Sequence, residues 1–400
     1  MANRLVIYTV LHQPRRVRLP AVPLPRGASA LELSNLMFDH DLNQHYFEKV
    51  AHWCYRPALA HWHHLLDDGL ALALGIPLST IMQFEEWAPD LLGEITSLVR
   101  HPHAELIAVE PFHALTMLID LPTFLDQMRL ARTQACKVFG VEPTVADTTE
   151  MIMSTDIYHA LQTAGYRGVF LDGKPSTMEW RDPTHLYHHK GGALRILPRH
   201  FDLSDDVGYR FSDRNWDGWP LKARDYATSI QDAPGELVIL AWDFETFGEH
   251  HNRDSGIFDF LEELPEALAQ SNIACITPTD AINTHGHHPH ELPLSPFPST
   301  WAGVTGSLDF FMGNDAQRSL YRLMTAAFGA AKLTGDQELI EIALWLMQSD
   351  NLHWLQWVGQ VGPDAEVSAY FTPQEWMALG TDRLVSEHQR VYINFLEAIT

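Results

Sequence analysis

The stretch Leu237-Val-Ile-Leu-Ala-Trp-Asp-Phe-Glu-Thr-Phe-Gly-Glu-His250 carries the strongest structural signal in this chain. Residues 237–242 form an uninterrupted apolar run, which is typical of a buried strand. Asp243 and Glu245 follow where that strand is predicted to end. Parallel α/β proteins gather their chemistry at the carboxyl ends of the strands, so the two acids indicate a candidate site. The alternative is a solvated strand end whose acids pair with Arg253.

Similar apolar runs alternate with helical patterns through most of the chain. Strands are predicted at 5–10, 71–78, 104–109, 143–146, 167–171, 194–197, 237–242 and 273–276. Helices are predicted at 42–66 with an interruption near Pro57, and at 81–99, 121–139, 154–164 and 257–269. This alternation favours a parallel sheet, and at this length a closed or nearly closed barrel.

The last quarter of the chain has a different pattern. Residues 285–299 are rich in Pro and His without periodicity, and helices are predicted at 316–333, 337–348 and 373–398. We therefore predict a barrel domain over residues 1–284. A connector and helical domain over 285–400 is predicted to complete the cleft of the candidate site.

Composition narrows the classes of partner. The chain has 400 residues, with 51 acidic against 27 basic side chains and a formal charge of −24. That charge argues against nucleic acid or an anionic membrane surface and favours a neutral substrate. Three dispersed cysteines suggest neither a disulfide framework nor a cysteine-based zinc site. Without a signal peptide or a membrane-length apolar run, we expect a cytoplasmic location.

A second acid follows another predicted strand. Pro143-Thr-Val-Ala-Asp-Thr-Thr-Glu150 ends a strand and precedes a helix, so Glu150 is expected at the same edge as Asp243. Glycoside hydrolysis needs such a pair, because one carboxylate acts at the anomeric carbon while the other protonates the leaving oxygen. Alternatively, Glu150 caps the helix that begins near Ser154.

Five motifs follow one another along the chain. They are His12-Gln13-Pro14, Glu105-Leu-Ile-Ala-Val-Glu-Pro-Phe-His113, Thr149-Glu150, Asp243-Phe-Glu-Thr-Phe-Gly-Glu-His250, and Thr300-Trp301-Ala302 with Leu308-Asp309 and Gly313-Asn314-Asp315-Ala316-Gln317. In this order they resemble the motifs of the α-amylase branch of glycoside hydrolase family 57. The resemblance implies an α/β fold, an incomplete (β/α)7 TIM-like barrel followed by a carboxyl-terminal α-helical region.

The resemblance also implies an activity and a site. Glu150 is implied as the nucleophile and Asp243 as the acid/base of a retaining enzyme of the α-amylase type, acting on an α-glucan or maltooligosaccharide with no metal or organic cofactor. The implied substrate-binding residues are His12, Glu105, His113, Glu245, His250, Trp301 and Asp309. Period-two geometry further predicts that Glu245 shares a strand face with Asp243 and could tune its acidity.

The match departs from the family pattern near the nucleophile. Ala146, Asp147 and Thr148 stand where the branch has an aromatic residue, a basic residue and Asn. Gly303 and Asn351 replace an acid and a His. We interpret these differences as altered subsites, and an extra acid beside Glu150 is expected to raise a neighbouring pKa.

Three alternatives stay open on sequence alone. A 4-α-glucanotransferase or a branching enzyme would use the same acids with a sugar as acceptor. A non-catalytic glucan-binding protein could keep the fold. A metal-dependent polysaccharide deacetylase would use histidines, of which the candidates are Asp243 with His250 and His251, and the tract His285, His287, His288 and His290.

Overall fold

A computed structural model describes residues 2–400, which form two compact units. The first unit takes in the chain up to Gln13, then Phe47–Pro111 and Phe124–Trp301. The second consists of Pro14–Tyr46, Phe112–Thr123 and Ala302–Thr400. Both are assembled from segments that are discontinuous in sequence. The division into a barrel over 1–284 and a helical domain over 285–400 stays a prediction.

Among residues 2–400, every strand belongs to the first unit. They are β1 (Arg4–Val10), β2 (Leu72–Gly75), β3 (Ala104–Ile107), β4 (Val145–Ala146), β5 (Gly168–Asp172), β6 (Tyr187–His188), β7 (Arg195–Arg199), β8 (Leu237–Asp243), β9 (Ala274–Cys275) and β10 (His290–Glu291). One sheet has the parallel order β3-β2-β1-β8, with β9 pairing to β1. The other has the order β10-β6-β7-β5-β4, in which β4, β5 and β7 are parallel.

The two sheets meet along two edges. A parallel bridge pairs Ala108, just after β3, with Ala146 of β4. At the other edge, the His200 backbone N–H that follows β7 donates to the Ile239 carbonyl of β8 at 2.7 Å. Seven parallel strands, β1 to β5 with β7 and β8, therefore form the incomplete α/β barrel that the resemblance implied.

Alternation along the strands separates two apolar clusters. On β8, Ile239 and Ala241 join Val6 and Val10 of β1 in one cluster, whereas Val238, Leu240 and Trp242 belong to a larger cluster that includes the helices. Successive side chains of a strand point to opposite faces. The first cluster therefore fills the barrel interior, and the second packs the strands against the helices.

The helices follow the predicted pattern with several additions. They are α1 (Ala30–Met37), α2 (His40–Val50), α3 (Arg56–Asp67), α4 (Leu78–Trp87), α5 (Pro89–Val99), α6 (Thr116–Ile119), α7 (Leu121–Phe139), α8 (Thr155–Thr163), α9 (Pro175–Met178), α10 (Phe201–Gly208), α11 (Ala223–Asp232), α12 (Ile257–Gln270), α13 (Pro278–His285), α14 (Asp309–Met312), α15 (Asp315–Thr334), α16 (Gln337–Leu346), α17 (Asp350–His353), α18 (Pro363–Phe371), α19 (Gln374–Met377) and α20 (Thr381–Ile399). Within residues 2–400, no helix combines the length and apolar character needed to cross a membrane.

Candidate active site

Glu150 and Asp243 both lie near the carboxyl ends of barrel strands, as the sequence predicted. Asp243 is the last residue of β8, and its backbone pairs with that of Val10 at the end of β1. Glu150 lies in a short 3-10 turn, Thr149–Met151, that follows β4. Both side chains are half-buried. Because parallel strands end at one edge, the two acids occupy the carboxyl-terminal face of the barrel.

The Glu150 backbone is held in a left-handed conformation. Its φ of 58° is uncommon for a residue with a side chain and persists only where neighbours hold it. The Thr300 hydroxyl donates to the Glu150 carbonyl at 2.7 Å, and the Trp301 backbone N–H donates to it at 3.3 Å. The Ser154 hydroxyl, rather than Glu150, caps α8. The helix-cap alternative for Glu150 is therefore wrong.

Trp301 also holds the Glu150 carboxylate. The indole Nε1–H of Trp301 donates to Glu150 Oε2 at 2.8 Å. The Lys174 ammonium group in turn donates to the Trp301 carbonyl. A hydrogen bond from a rigid aromatic donor fixes where the carboxylate points, which a nucleophile requires. Trp301 thus contacts the acid that the resemblance made the nucleophile.

Asp147 adds a third carboxyl group to this edge. It is buried, and it accepts hydrogen bonds from the Tyr8 hydroxyl at 2.6 Å and the Thr148 backbone N–H at 2.8 Å. Burial raises the pKa of Asp147 to about 7, against the lowering effect of these two hydrogen bonds. The charges of Glu150 and Asp243 raise it further. Both acids therefore act on one buried carboxyl group.

Glu245 is buried, but it does not continue the strand. β8 ends at Asp243 and Phe244–Thr246 form a 3-10 turn, so the prediction that Glu245 shares a strand face with Asp243 is wrong. The Tyr55 hydroxyl donates to Glu245 Oε1 at 2.5 Å, and the His12 backbone N–H donates to the same oxygen at 3.3 Å. Burial and the Asp243 charge raise the pKa of Glu245 to about 8.

Glu245 and Tyr55 meet because of an irregular helical turn. Residues Ala51–Tyr55 form a π-helical turn between α2 and α3, near the interruption that was predicted at Pro57. Single π turns inside α-helices are frequent at functional sites. This one brings Cys54 Sγ to 3.5 Å from the Phe244 carbonyl and Tyr55 onto Glu245.

A buried group of ions lies at the ends of β5 and β7. Lys174 Nζ lies 3.0 Å from Asp172 Oδ2, and Arg199 donates to Asp172 at 3.2 Å. Arg199 also donates to the Ala241 carbonyl of β8 at 3.0 Å and pairs with Asp205. We refer to Asp172, Lys174, Arg199 and Asp205 as the buried ion group. It connects two strand ends to β8 and to Trp301.

The other motif residues of this unit are divided between the two ends of the barrel. The His250 backbone N–H donates to the Glu245 carbonyl at 2.9 Å. Glu105, near the amino end of β3, instead accepts from the Thr279 backbone N–H and hydroxyl at 2.7 and 2.6 Å, and burial raises its pKa. The motif that runs from Glu105 to His113 contains a second acid, Glu110. It is fully buried beyond the carboxyl end of β3 and therefore lies at the same end of the barrel as Asp243. Glu110 directly follows the strand predicted at 104–109, and this position marks it as a candidate that was not among the predicted site residues.

His113 and Asp309 belong to the second unit. His113 is buried with a φ of 53°, and its Nδ1 lies 3.1 Å from the Ser349 hydroxyl and 3.9 Å from Asp350 Oδ2. Asp309 is exposed and begins α14. Their proposed contacts with substrate stay predictions.

Two of the histidines considered for a metal have other partners. His251 is buried, with Nδ1 2.7 Å from the Ser212 hydroxyl, and His285 Nδ1 lies 3.1 Å from Glu236 Oε1. Among residues 2–400, no group of three or more convergent His, Cys, Asp or Glu ligand atoms includes His250, His251 or the histidines of the 285–290 tract. The histidines named for the deacetylase alternative therefore do not converge on a common point.

Comparison with known proteins agrees with the barrel and its motifs. The model of the family described as glycosyl hydrolase family 57 matches residues 6–293. A protein of Methanocaldococcus jannaschii named "Putative alpha-amylase" is 30% identical over 377 residues, which cover 90% of this chain and 78% of that protein.

Solved structures share the fold at low sequence identity. A 4-alpha-glucanotransferase from Thermococcus litoralis has a TM-score of 0.64 at 15% identity, and the match covers 89% of this chain and 59% of that one. This chain therefore spans less than two thirds of the glucanotransferase. A branching enzyme from Pyrococcus horikoshii has a TM-score of 0.65 at 13% identity, covering 100% of this chain and 96% of that one.

Proposed function

This chain belongs to glycosyl hydrolase family 57, and from that premise we propose that it is a retaining glycoside hydrolase of the α-amylase type acting on α-1,4-glucans or maltooligosaccharides. One observation carries the proposal. Glu150 follows β4 and Asp243 ends β8, so both carboxyl groups lie at the carboxyl-terminal face of one barrel, where the Trp301 indole holds the Glu150 carboxylate. A double displacement needs two carboxyl groups that face the same glycosidic bond.

The proposed reaction has two steps. First, Glu150 attacks the anomeric carbon while Asp243 gives its proton to the glycosidic oxygen, so the C1–O bond breaks and a glycosyl ester forms. Asp243 then takes a proton from water, which attacks the anomeric carbon C1, so the bond between C1 and the Glu150 oxygen breaks and the Glu150 carboxylate is freed. Two inversions at C1 retain the α-configuration. The Trp301 indole orients Glu150 by the hydrogen bond to Oε2.

The remaining roles rest on position and resemblance. We propose that His12, Glu245, His250 and Trp301 contact the sugar beside the scissile bond. Trp301 is hydrogen-bonded to Glu150, Glu245 lies two residues after Asp243, and the backbone N–H groups of His12 and His250 donate to Glu245. For Glu105, His113 and Asp309, a role in substrate binding is suggested only by the family resemblance.

Loss of either acid tests the catalytic assignment. Wild type, Glu150→Gln and Asp243→Asn are incubated with maltoheptaose and with glycogen, and new reducing ends are counted. We expect Glu150→Gln to fall to background and Asp243→Asn to lose about 10²–10⁴-fold in rate, the range of a general acid. Asp206→Asn, which removes a half-buried carboxyl group paired with Arg210, is the matched control and should keep its activity. Equal, measurable rates for wild type and Glu150→Gln would contradict the assignment, and no new reducing ends from either protein would favour a non-catalytic glucan-binding protein.

Transfer to a sugar is the second candidate reaction. The observation that favours it is the shared fold with solved structures of a 4-alpha-glucanotransferase and a branching enzyme. The glycosyl ester on Glu150 can be attacked by a sugar hydroxyl in place of water without any change of residue. From maltoheptaose, shorter products alone indicate an amylase, longer linear chains a 4-α-glucanotransferase, and α-1,6 linkages a branching enzyme.

Two further measurements separate the mechanism from its rivals. Proton NMR of the first products should show the α-anomer before mutarotation, because double displacement retains configuration. A β-anomer would require inversion and contradict a nucleophilic role for Glu150. Activity that survives exhaustive chelation would exclude the metal-dependent deacetylase class.

A further inference from the structure

Asp147 has a defined place in the barrel that neither step of the reaction uses. It is the first residue after β4, and its backbone N–H donates to the Ala108 carbonyl at 2.8 Å, where the two sheets meet. Its side chain accepts a hydrogen bond from Tyr8 on β1, a strand that does not pair with β4. A buried carboxyl group is costly to keep, so its partners indicate what it does there.

The surroundings of Tyr8 hold its hydroxyl group on Asp147. The Tyr8 ring stacks on Phe170 with centroids 4.1 Å apart and planes within 8°. Gly75 leaves the space for the hydroxyl, because a Cβ at that position would lie 2.6 Å from Tyr8 Oη. Burial keeps the pKa of Tyr8 well above its usual value, so the phenol stays protonated and donates to Asp147 Oδ2.

Three ionisable side chains act on Asp147, Tyr8 through a hydrogen bond and Glu150 and Asp243 through their charges. Tyr8 comes from β1, Glu150 from the turn after β4, and Asp243 from the end of β8. The Asp243 charge also acts on Tyr8. A change in the charge of Asp147 is therefore felt by the proposed nucleophile and by the proposed proton donor.

Resting on the proposed function, we propose that Asp147 is a positioning residue whose negative charge keeps Asp243 protonated as the pH approaches neutrality. The hydrogen bond from Tyr8 stabilises that negative charge. An adjacent negative charge makes Asp243 harder to ionise and therefore extends its range as an acid. It also favours the positively charged sugar ring that develops as the C1–O bond breaks.

The charge of Asp147 changes near neutral pH. Because the pKa of Asp147 is raised to about 7, the group is largely neutral at pH 5 and becomes charged as the pH rises through 7. At acidic pH the wild type should therefore behave like an Asp147→Asn variant. The two should diverge only toward neutral and alkaline pH.

The pH profile of kcat/KM for maltoheptaose tests this role. We expect the acidic limb of Asp147→Asn to superimpose on that of the wild type and its alkaline limb to lie roughly one pH unit lower, a shift typical of one neighbouring charge. Tyr8→Phe keeps the ring but removes the donor, which delays ionisation of Asp147, so its alkaline limb should move the same way by less. If Asp147→Asn does not fold, the pH profile of Tyr8→Phe is compared with that of the wild type instead. Asp206→Asn is the control and should leave both limbs in place.

The outcomes separate this inference from the proposed function. A purely structural role for Asp147 would lower activity at every pH without moving a limb, and that result would overturn the inference. So would superimposable profiles for all variants of an active enzyme. A wild type with no activity on any glucan would overturn the proposed function, and the inference with it.

Discussion

Glu245 links the site to the stability of the fold. Its pKa is raised from 4.5 to about 8, chiefly by burial, so the folded protein binds this proton more tightly than the unfolded chain does. A raised folded pKa gives stability that is fully present below about pH 4.5 and is lost as the pH rises through 8. Between pH 5 and pH 8, ionisation of Glu245 should lower the free energy of unfolding of the wild type by an amount on the order of a few kcal/mol. We predict that Glu245→Gln, which cannot ionise, does not show this loss.

Urea unfolding of both proteins at pH 5 and pH 8 measures this difference. Glutamine keeps an oxygen that can accept from Tyr55 and the His12 backbone, so the variant should stay folded. Glu397→Gln, an exposed site on α20, is the control and should follow the wild type. If Glu245→Gln and wild type lose the same free energy of unfolding between the two pH values, Glu245 does not titrate in this range.

At the scale of single residues, the sequence revealed the acids but not their partners. Glu150 and Asp243 could be predicted because each follows an apolar strand, which is a local signal. Tyr8 lies 139 residues from Asp147, and Tyr55 lies 190 residues from Glu245. No local pattern marks such a pair. Lys174 follows β5 and Arg199 ends β7, but whether these basic residues contact an acid depends on how the strands pair in the barrel.

Gly248 shows how closely the loop after β8 packs on the π-helical turn. Its φ is 121°, and a Cβ there would lie 2.2 Å from the Trp53 carbonyl oxygen. We predict that Gly248→Ala costs more than about 1 kcal/mol in the free energy of unfolding, since both strain and a backbone clash oppose it. The same loop carries Glu245, so activity should fall as well.

Thermal unfolding with a matched glycine separates the clash from a general effect of alanine. Gly93 lies inside α5 with open space around it, and Gly93→Ala should stabilise the protein by roughly 0.5–1 kcal/mol. A melting temperature for Gly248→Ala equal to that of the wild type would contradict the close approach to Trp53.

At the scale of elements, existence was easier to predict than boundaries. The single helix predicted at 81–99 is two, because Pro89 begins α5. Helix α13 lies mostly before the predicted connector, and its first residue is Pro278, which suits the start of a helix. The prediction missed several short helices, namely α1, α10, α11 and α18. In such short segments, mean hydropathy and the spacing of apolar residues are weak signals of a helix.

At the scale of the molecule, the alternation of strands with helices was enough to predict the barrel. A chain of apolar runs separated by helices leads to a parallel barrel because crossover connections place the helices outside. The interleaving of the two units could not be predicted in this way. Residues 14–46 and 112–123 belong to the second unit although strands flank them, since which unit a loop joins is decided by packing partners far away in sequence.

The buried ion group supports the barrel where β5, β7 and β8 end. Lys174 and Asp172 are almost completely buried, and charges in such places stabilise only as long as each keeps its partners. We predict that Lys174→Met lowers the free energy of unfolding by about 3–5 kcal/mol, the usual cost of removing one partner of a buried pair. It also removes the donor to the Trp301 carbonyl, so kcat should fall even where the variant is fully folded.

An exposed ion pair in the same unit is the control for Lys174→Met. Arg56 and Asp90 lie 2.6 Å apart with about half of each side chain exposed, so Arg56→Met should cost less than about 1 kcal/mol and leave kcat unchanged. Urea unfolding and initial rates on maltoheptaose measure both effects. If the two variants lose equal stability, the ion group does not brace the barrel. A stability loss without any fall in kcat would mean that Glu150 keeps its orientation without Lys174, because the indole hydrogen bond of Trp301 would then suffice.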